Sequence, residues 1–334
     1  MAYLKDLLKQ VTYICTRGTM DCKVTHICHD SRQVVRGSMF ICLAGSREDG
    51  HDYLAQAIRK GAAVCVVSKH VWVEGDVTVI RVRNTSEAMA WIARNYYGAP
   101  AEAMQMIGIT GTKGKTTTAC MLYQMLKEAG VKCGLIGTLG IRRSDGLKKP
   151  GSNTTPDALV LQKELREMAD AGCSCCVMEV SSQGLKHYRV EGITFAIGIY
   201  TNLSMDHIGP GEHRSFREYA CCKKRLFDRG VNSPNILLRG ALLVPRQCGL
   251  APLNHQAMLV FLEIVNGLQV KVIVFSFKAP LKGEACRLQI RRGRHSTIYL
   301  IAGKQSGGGA LPADEHAPVV VPLAEAGLLD AGVL

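Results

Sequence analysis

The clearest chemical signal in the chain is a glycine-rich segment, TGTKGKTT at residues 110–117. Glycines let backbone N–H groups surround phosphate oxygens, and the N-terminus of a following helix adds positive potential. In such a loop Lys115 would reach the β- and γ-phosphates of a nucleotide, and Thr116 would hold Mg²⁺. The spacing departs from the standard G-x-x-x-x-G-K-[ST], so the alternative is a glycine-rich turn with a solvated lysine. We predict a phosphate-binding loop made by Gly111, Thr112, Lys113, Gly114, Lys115, Thr116 and Thr117.

Candidate metal ligands follow two later apolar runs. Glu179 lies near the end of the run 173–180, and the carboxyl end of a parallel strand faces the crevice where ligands bind. A carboxylate there suits Mg²⁺, and the alternative is a carboxylate paired with a neighbouring base. The segment TNLSMDH ends at His207, and its cluster of Asn202, Asp206 and His207 could supply a second ligand. A single histidine is more often a satisfied surface or core residue. Lys223 and Lys224, in the next predicted helix, are by themselves expected on a solvated basic face.

The elements that must position these residues alternate along the chain. The pattern predicts strands at 104–109, 131–136, 173–180 and 193–200, and helices at 116–129, 155–172 and 215–227. We place Pro156 at the first position of the second of these helices, and a basic loop at 140–153. Alternation of this kind predicts a mostly parallel sheet covered on both faces.

The first part of the chain forms a separate predicted α/β unit. Its predicted strands are 38–43, 62–67 and 77–82, and its predicted helices are 52–60 and 84–97. A Gly-Ala-Pro break at 98–100 then suggests a linker. The predicted fold class is α/β, with domains at 1–98 and 99–229.

The charge composition of the chain indicates which class of partner it can bind. The 334 residues carry 41 Lys and Arg against 28 Asp and Glu, a formal net charge of +13, which favours anionic partners such as phosphates. The arginine cluster at 291–294 lacks interleaved aromatic residues, so nucleic acid is not expected. No uninterrupted apolar run is long enough to span a membrane. The N-terminus lacks the features of a secretion signal, so we expect a cytoplasmic location and reduced cysteines, whose spacing matches no zinc site.

Five motifs occur in the order found in the ATP-dependent Mur ligases, and the chain resembles that family over about residues 25–229. They are TGTKGKTT, NTT at 153–155, MEVSSQGL at 178–185 followed by His187 and Arg189, TNLSMDH, and Lys223. The predicted N-terminal domain, residues 1–98, contains HDSR at 29–32 and DGH at 49–51. It is similar to the family's uridine-nucleotide domain. The resemblance is strongest to the MurE-type members, which add an amino acid to a UDP-muramoyl dipeptide.

The resemblance implies a small N-terminal uridine-nucleotide domain, a P-loop ATPase-type domain, and peptidoglycan synthesis as the function. ATP would phosphorylate the carboxylate of the UDP-muramoyl dipeptide, and the amine of an amino acid would attack the acyl phosphate. Lys115, Lys223 and His207 would be catalytic. One Mg²⁺ would be held by Thr116 and Glu179, and a second by His207 and a carbamylated Lys223. The residues implied to grip the UDP-muramoyl peptide are Ser31, Asn153, Thr154, Thr155, Ser181, His187 and Arg189.

The sequence also departs from the family. Lys113 stands where Asn is common, and His187 where some members have Gln. No third-domain motif is found after Phe227, so a third, amino-acid-binding domain is not expected in this chain. The resemblance ends near residue 229, so the central domain is expected to be incomplete. Our hypothesis for residues 230–334 is a reading frame lost near Arg229, and the alternative is a divergent genuine tail.

Two other functions stay open from the sequence. One is an inactive nucleotide-binding fragment, and the other is a ligase like folylpolyglutamate synthetase. The sequence does not fix the added amino acid, diaminopimelate or lysine, or the oligomeric state.

Overall fold

The computed structural model describes residues 2–45, 48–151 and 153–229, together with four later strands. The chain divides into two compact units, Met1–Val244 and Pro245–Leu334. The helices are α1 (Leu4–Leu7), α2 (Leu54–Arg59), α3 (Thr85–Tyr96), α4 (Lys115–Glu128), α5 (Ala158–Asp170), α6 (Ser182–Lys186) and α7 (Phe216–Arg229). The strands of the first unit are β1 (Ala2–Tyr3), β2 (Tyr13–Arg17), β3 (Lys23–Val24), β4 (His26–Cys28), β5 (Ser38–Ile41), β6 (Val64–Val67), β7 (Thr78–Val82), β8 (Gln105–Thr110), β9 (Cys133–Gly137), β10 (Gly140–Arg142), β11 (Lys148–Lys149), β12 (Cys175–Glu179) and β13 (Ile197–Tyr200).

The N-terminal sheet has five strands in the order β2-β7-β6-β5-β4. The strands β4 to β7 are parallel, and β2 is antiparallel at the edge. Alternation along a strand sends Met39 and Ile41 into one apolar cluster with α1 and α3, and Phe40 and Cys42 into a second cluster with α2. Because both faces are covered, β5 and β6 are buried throughout.

The middle sheet has six strands in the order β11-β10-β9-β12-β8-β13. Four neighbouring strands, β9, β12, β8 and the edge strand β13, are parallel to one another. This architecture, with helices between the strands, confirms the α/β fold class predicted from the sequence. The helix predicted at 155–172 is shorter: the Asp157 side chain accepts hydrogen bonds from Leu159 N and Val160 N and so caps α5. Pro156 therefore precedes the cap and is not the first helical residue.

The predicted basic loop at 140–153 contains a short hairpin. The strands β10 and β11 pair antiparallel and extend the sheet beyond β9. Between them Asp145 Oδ1 accepts a hydrogen bond of 3.0 Å from Leu147 N, which closes the turn. The pattern hid these strands because they are two or three residues long and lack alternating apolar side chains.

The parallel strands of the middle sheet all end at one edge. β8 ends at Thr110, β9 at Gly137, β12 at Glu179 and β13 at Tyr200. Ligands of open α/β sheets bind at this carboxyl edge. The glycine-rich loop, Glu179 and the TNLSMDH segment are therefore brought to the same place by the fold.

The second unit is described as two antiparallel strand pairs. β14 (Gln256–Val265) pairs with β15 (Gln269–Lys278), and β16 (Cys286–Arg292) pairs with β17 (Ile298–Lys304). The sequence pattern after residue 229 predicts no order of helices and strands for this region. Our hypothesis of a lost reading frame concerns residues 230–334. Apart from the four strands, these residues, including 230–255, lie outside the part of the chain that the structure describes. Among the described helices of the chain, none has the length and apolar character needed to cross a membrane.

Candidate functional site

The glycine-rich loop joins β8 to α4. Gly114, at φ 81°, is the N-terminal cap of α4, and Gly111 has φ 148°. A Cβ on Gly111 would lie 1.9 Å from Thr201 Oγ1. Glycine is therefore required at position 111, because the loop passes against the segment that follows β13.

Lys115 is the first residue of α4, and its side chain turns back across the loop. Its ammonium donates to the carbonyl oxygens of Gly111 (2.9 Å) and Thr112 (3.0 Å). Burial lowers the pKa of this ammonium. The loop thus holds a cation at the N-terminus of a fourteen-residue helix, which is a suitable arrangement for a phosphate group.

Glu179 lies at the centre of the strand-end cluster and is 1% exposed. Its Oε2 accepts from the hydroxyls of Thr116 (2.9 Å) and Thr138 (3.2 Å), and its Oε1 accepts from Thr138 N (2.9 Å). Gly137 makes room for it, since a Cβ there would lie 2.2 Å from Oε1. The bonds of this carboxylate go to hydroxyls and an amide, so it is not simply the partner of a base.

The segment after β13 forms hydrogen bonds with both backbone polar groups of Lys113. Asn202 Oδ1 accepts from Lys113 N (2.9 Å), and Asn202 Nδ2 donates to Lys113 O (3.1 Å). The Thr201 hydroxyl donates to the same carbonyl at 2.7 Å. The Lys113 ammonium forms a 3.1 Å ion pair with Asp206. Asn202 and Asp206 belong to the cluster that the sequence offers as a source of a second metal ligand, whereas Thr201 has no predicted role, although its position directly after a strand was the available signal.

Lys223 is buried under the loop, and its neighbour Lys224 is not. Lys223 is 1% exposed and donates to Gly111 O at 2.7 Å. Burial, with a contribution from the nearby charge of Lys115, lowers the pKa of Lys223 to about 7. Lys224 is exposed and pairs with Asp228. The expectation of a solvated basic face therefore describes Lys224 and is wrong for Lys223.

His207 lies at the exposed side of the cluster. Its backbone is in the left-handed region, φ 54°, and its side chain is 48% exposed. Nδ1 lies 2.9 Å from Glu212 Oε1. Within the described residues no hydrogen bond joins His207 to Glu179 or Lys223, so the structure brings it near the loop without completing a ligand set.

Thr154 and Thr155 are tied to the same strand end. The Thr154 hydroxyl lies 2.9 Å from the Thr138 hydroxyl. Thr155 Oγ1 lies 3.0 Å from the Glu179 carbonyl oxygen and accepts from Ser181 N at 2.9 Å. The two threonines are therefore continuous with the Glu179 cluster.

The remaining predicted substrate residues divide into a tethered and an exposed set. Arg189 donates to Thr155 O at 2.8 Å, and Ser181 Oγ accepts from Gly184 N at 3.0 Å, which caps α6. Asn153 and His187 are exposed. Ser31 is elsewhere, in the N-terminal sheet region, where its hydroxyl bonds Gln56 Oε1 at 2.8 Å.

The donor chemistry at Glu179 fits a hard divalent cation. A buried carboxylate with two adjacent threonine hydroxyls offers oxygen ligands, which Mg²⁺ prefers and often completes with water and phosphate. Over the described ranges no group of three or more His, Cys, Asp and Glu side chains is arranged around a common metal position.

Two family models match the chain. The Mur ligase middle domain matches residues 109–292, and a model described as the Mur ligase family catalytic domain matches residues 23–97. The first match continues past residue 229, so the similarity is longer than the motifs alone indicate.

Similar curated proteins carry one name, UDP-N-acetylmuramoyl-L-alanyl-D-glutamate--2,6-diaminopimelate ligase. That of Clostridium perfringens is 41% identical over 234 residues, 69% of this chain and 47% of the relative. That of Clostridium tetani is 40% identical over 301 residues, 89% of this chain and 58% of the relative. A solved structure of a protein of that name has 29% identity and a TM-score of 0.53, covering 61% of this chain and 41% of its own. The chain thus spans about half the length of the relatives it matches.

Proposed function

The chain belongs to the Mur ligase family, and we propose that it acts in the ATP-dependent ligation that gives a UDP-muramoyl tripeptide in peptidoglycan synthesis. In this reaction a carboxylate oxygen of UDP-N-acetylmuramoyl-L-alanyl-D-glutamate attacks the γ-phosphorus of ATP, and ADP leaves. The amine of the incoming amino acid then attacks the acyl phosphate, loses a proton and expels phosphate as the amide forms.

One observation carries the proposal. Thr116 lies in the first turn of α4, directly after the loop lysine Lys115. Its hydroxyl donates a hydrogen bond of 2.9 Å to the Glu179 carboxylate at the end of β12. A hydroxyl and a carboxylate beside a phosphate-binding loop are the groups that a nucleotide with its magnesium requires. Bound magnesium would supply positive charge against the phosphate oxygens.

The other residues of the loop would orient the nucleotide. Thr112 N and Lys113 N already donate to Asn202, so the N–H groups that would bind phosphate oxygens are those of residues 114–117 at the start of α4. Gly111, Thr112 and Lys113 would shape the turn around the nucleotide. The ammonium of Lys115 would bind the β- and γ-phosphates. Catalysis of this kind depends on positioning and on stabilising phosphoryl charge.

Lys223 is suited to carbamylation. The reaction with CO₂ needs the neutral amine, and the pKa of about 7 leaves a large neutral fraction near physiological pH. A carbamate would convert this buried cation into an anion that could hold a second Mg²⁺, together with His207. The interpretation gives a role to a buried lysine whose hydrogen bond goes to a carbonyl rather than to a carboxylate.

The grip on the UDP-muramoyl peptide is assigned to residues around the Glu179 strand end and to Ser31. Thr155 is hydrogen-bonded to Ser181 and Arg189 there, and Thr154 to Thr138. Asn153 and His187 are exposed. The names of the relatives favour diaminopimelate over lysine as the added amino acid.

The proposal is tested by calorimetry and phosphate release on the full chain. We expect MgADP to bind, and we expect phosphate release from ATP with UDP-muramoyl dipeptide to require meso-diaminopimelate. Lysine in its place tests the amino acid, and a folate with glutamate tests the folylpolyglutamate-synthetase alternative. Nucleotide binding without release under any condition would establish the inactive fragment, and absence of MgADP binding would refute the proposal altogether.

A further inference from the structure

Tyr219 is a fully buried side chain, 0% exposed, that the nucleotide site has not used so far. It lies in α7, four residues before Lys223, so the two side chains share one face of the helix. Its contacts reach three separate parts of the candidate site.

The hydroxyl of Tyr219 contacts the phosphate-binding loop. It lies 2.9 Å from Thr112 Oγ1, which also accepts a hydrogen bond of 3.0 Å from Ser204 N. Burial raises the pKa of Tyr219, so the hydroxyl keeps its proton for this contact. Through Thr112 the tyrosine therefore joins α7 to the loop and to the segment that follows β13.

The ring face of Tyr219 covers the amine of Lys223. The Nζ atom lies 4.5 Å from the ring centroid and 2.7 Å from Gly111 O. The amine is thus held between an aromatic ring and a loop carbonyl, with the ring limiting where the lysine side chain can go.

The rings of Tyr219 and His213 pack edge to face. The two ring centroids are 5.3 Å apart at an interplanar angle of 67°. His213 is 0% exposed, and neither of its ring nitrogens has a hydrogen-bond partner in the part of the chain that the structure describes. Its backbone N donates to His207 O at 3.1 Å. Packing of His213 on Tyr219 therefore anchors the loop that carries His207.

We propose that Tyr219 is a positioning residue that holds the phosphate-binding loop, the Lys223 amine and the His207 loop in register. The inference rests on the proposed function for its consequence, because these three parts are the ones assigned to nucleotide and magnesium. The tyrosine itself need not touch either ligand.

Two substitutions separate the hydroxyl from the ring. Tyr219→Phe removes the contact with Thr112 and keeps the ring, whereas Tyr219→Leu removes both. Phe195→Leu is the matched control, since Phe195 is 1% exposed in the apolar cluster of the same sheet. The readouts on the full chain are the melting temperature, hydrogen exchange of residues 111–117 and 203–213, and ADP affinity with and without Mg²⁺.

We expect Tyr219→Phe to speed exchange in residues 111–117 and to weaken ADP binding about three- to tenfold, as for loss of one hydrogen bond. We expect Tyr219→Leu also to speed exchange in 203–213 and to lose the Mg²⁺-dependent gain in affinity, about tenfold or more. Phe195→Leu should lower the melting temperature and change neither readout. If Tyr219→Leu behaves like Phe195→Leu, the proposal is overturned. The exchange comparison needs no nucleotide, so it decides the role of Tyr219 even where wild-type protein fails to bind ADP.

Discussion

Two sides of the nucleotide site differ in how completely they are assembled. The floor residues, Glu179 and Lys223, are each 1% exposed and are held by fixed donors or acceptors. The rim residues, Lys113, Asp206 and His207, have side chains that are 77%, 30% and 48% exposed and pair with each other or with Glu212. The floor residues lie at the end of β12 and in α7, whereas the rim consists of side chains on loops.

This contrast predicts which residues contribute most to ligand affinity. Groups locked by hydrogen bonds lose little conformational entropy when a ligand arrives, whereas exposed ion pairs contribute little and rearrange easily. The floor should therefore determine metal and nucleotide binding, and the rim should adjust it.

The largest effect is expected from Glu179→Gln. The amide keeps the shape but removes the charge that attracts Mg²⁺, so the Mg²⁺-dependent part of ADP affinity should fall about 100-fold. Calorimetry with and without Mg²⁺ measures this change. Glu164→Gln is the control, since Glu164 is a buried carboxylate of α5 that pairs with Lys149. Equal losses in the two variants would mean that burial of a carboxylate, and not its place on the floor, determines binding.

A second effect is expected on stability from Lys223→Met in bicarbonate-free buffer. The folded pKa of about 7 lies below the usual lysine pKa of 10.5, so between these pH values the unfolded chain binds a proton that the folded chain does not. The free energy of unfolding from this lysine therefore rises with pH through that window, by at most about 1.4 kcal/mol per pH unit.

The variant should lose this slope and gain stability most on the acidic side, below pH 7. Denaturant unfolding of both proteins at pH 6 to 9 measures the difference. Lys224→Met, at the exposed neighbour, should leave the wild-type slope in place. Parallel curves for wild type and Lys223→Met would show that Lys223 is not buried as an amine.

The smallest effect is expected at the rim. His207→Ala removes a half-exposed imidazole that already contacts Glu212, so the Mg²⁺-dependent affinity should fall no more than about tenfold. The exposed His70→Ala serves as control. A loss as large as that of Glu179→Gln would break the distinction between floor and rim, because the histidine would then be an equal ligand.

The sequence predicted the parts of the site that follow from local pattern. A glycine-rich turn between a strand and a helix, and an acid at a strand end, are readable because backbone geometry alone fixes where they go. The loop at 111–117 and Glu179 lie at the strand edge where these rules place them.

What the sequence could not supply depends on contacts between distant segments. Lys223 and Lys224 are neighbours of the same type, and packing of α7 on the loop decides which is buried. Tyr219 reads as an ordinary core aromatic, and its contact with Thr112, 107 positions away, is tertiary. The roles of Ser31, Asn153 and His187 stay predictions, because their assignment comes from family resemblance.

The paired amide bonds between Asn202 and Lys113 have a consequence for nucleotide traffic. One side chain bonds both backbone polar groups of Lys113, as a neighbouring strand does. These two hydrogen bonds attach the loop to the segment at the sheet edge, so the loop cannot move away without breaking both of them. Nucleotide should therefore enter and leave across the solvent-facing mouth, with lysine and aspartate side chains parting to admit it while the backbone beneath stays still.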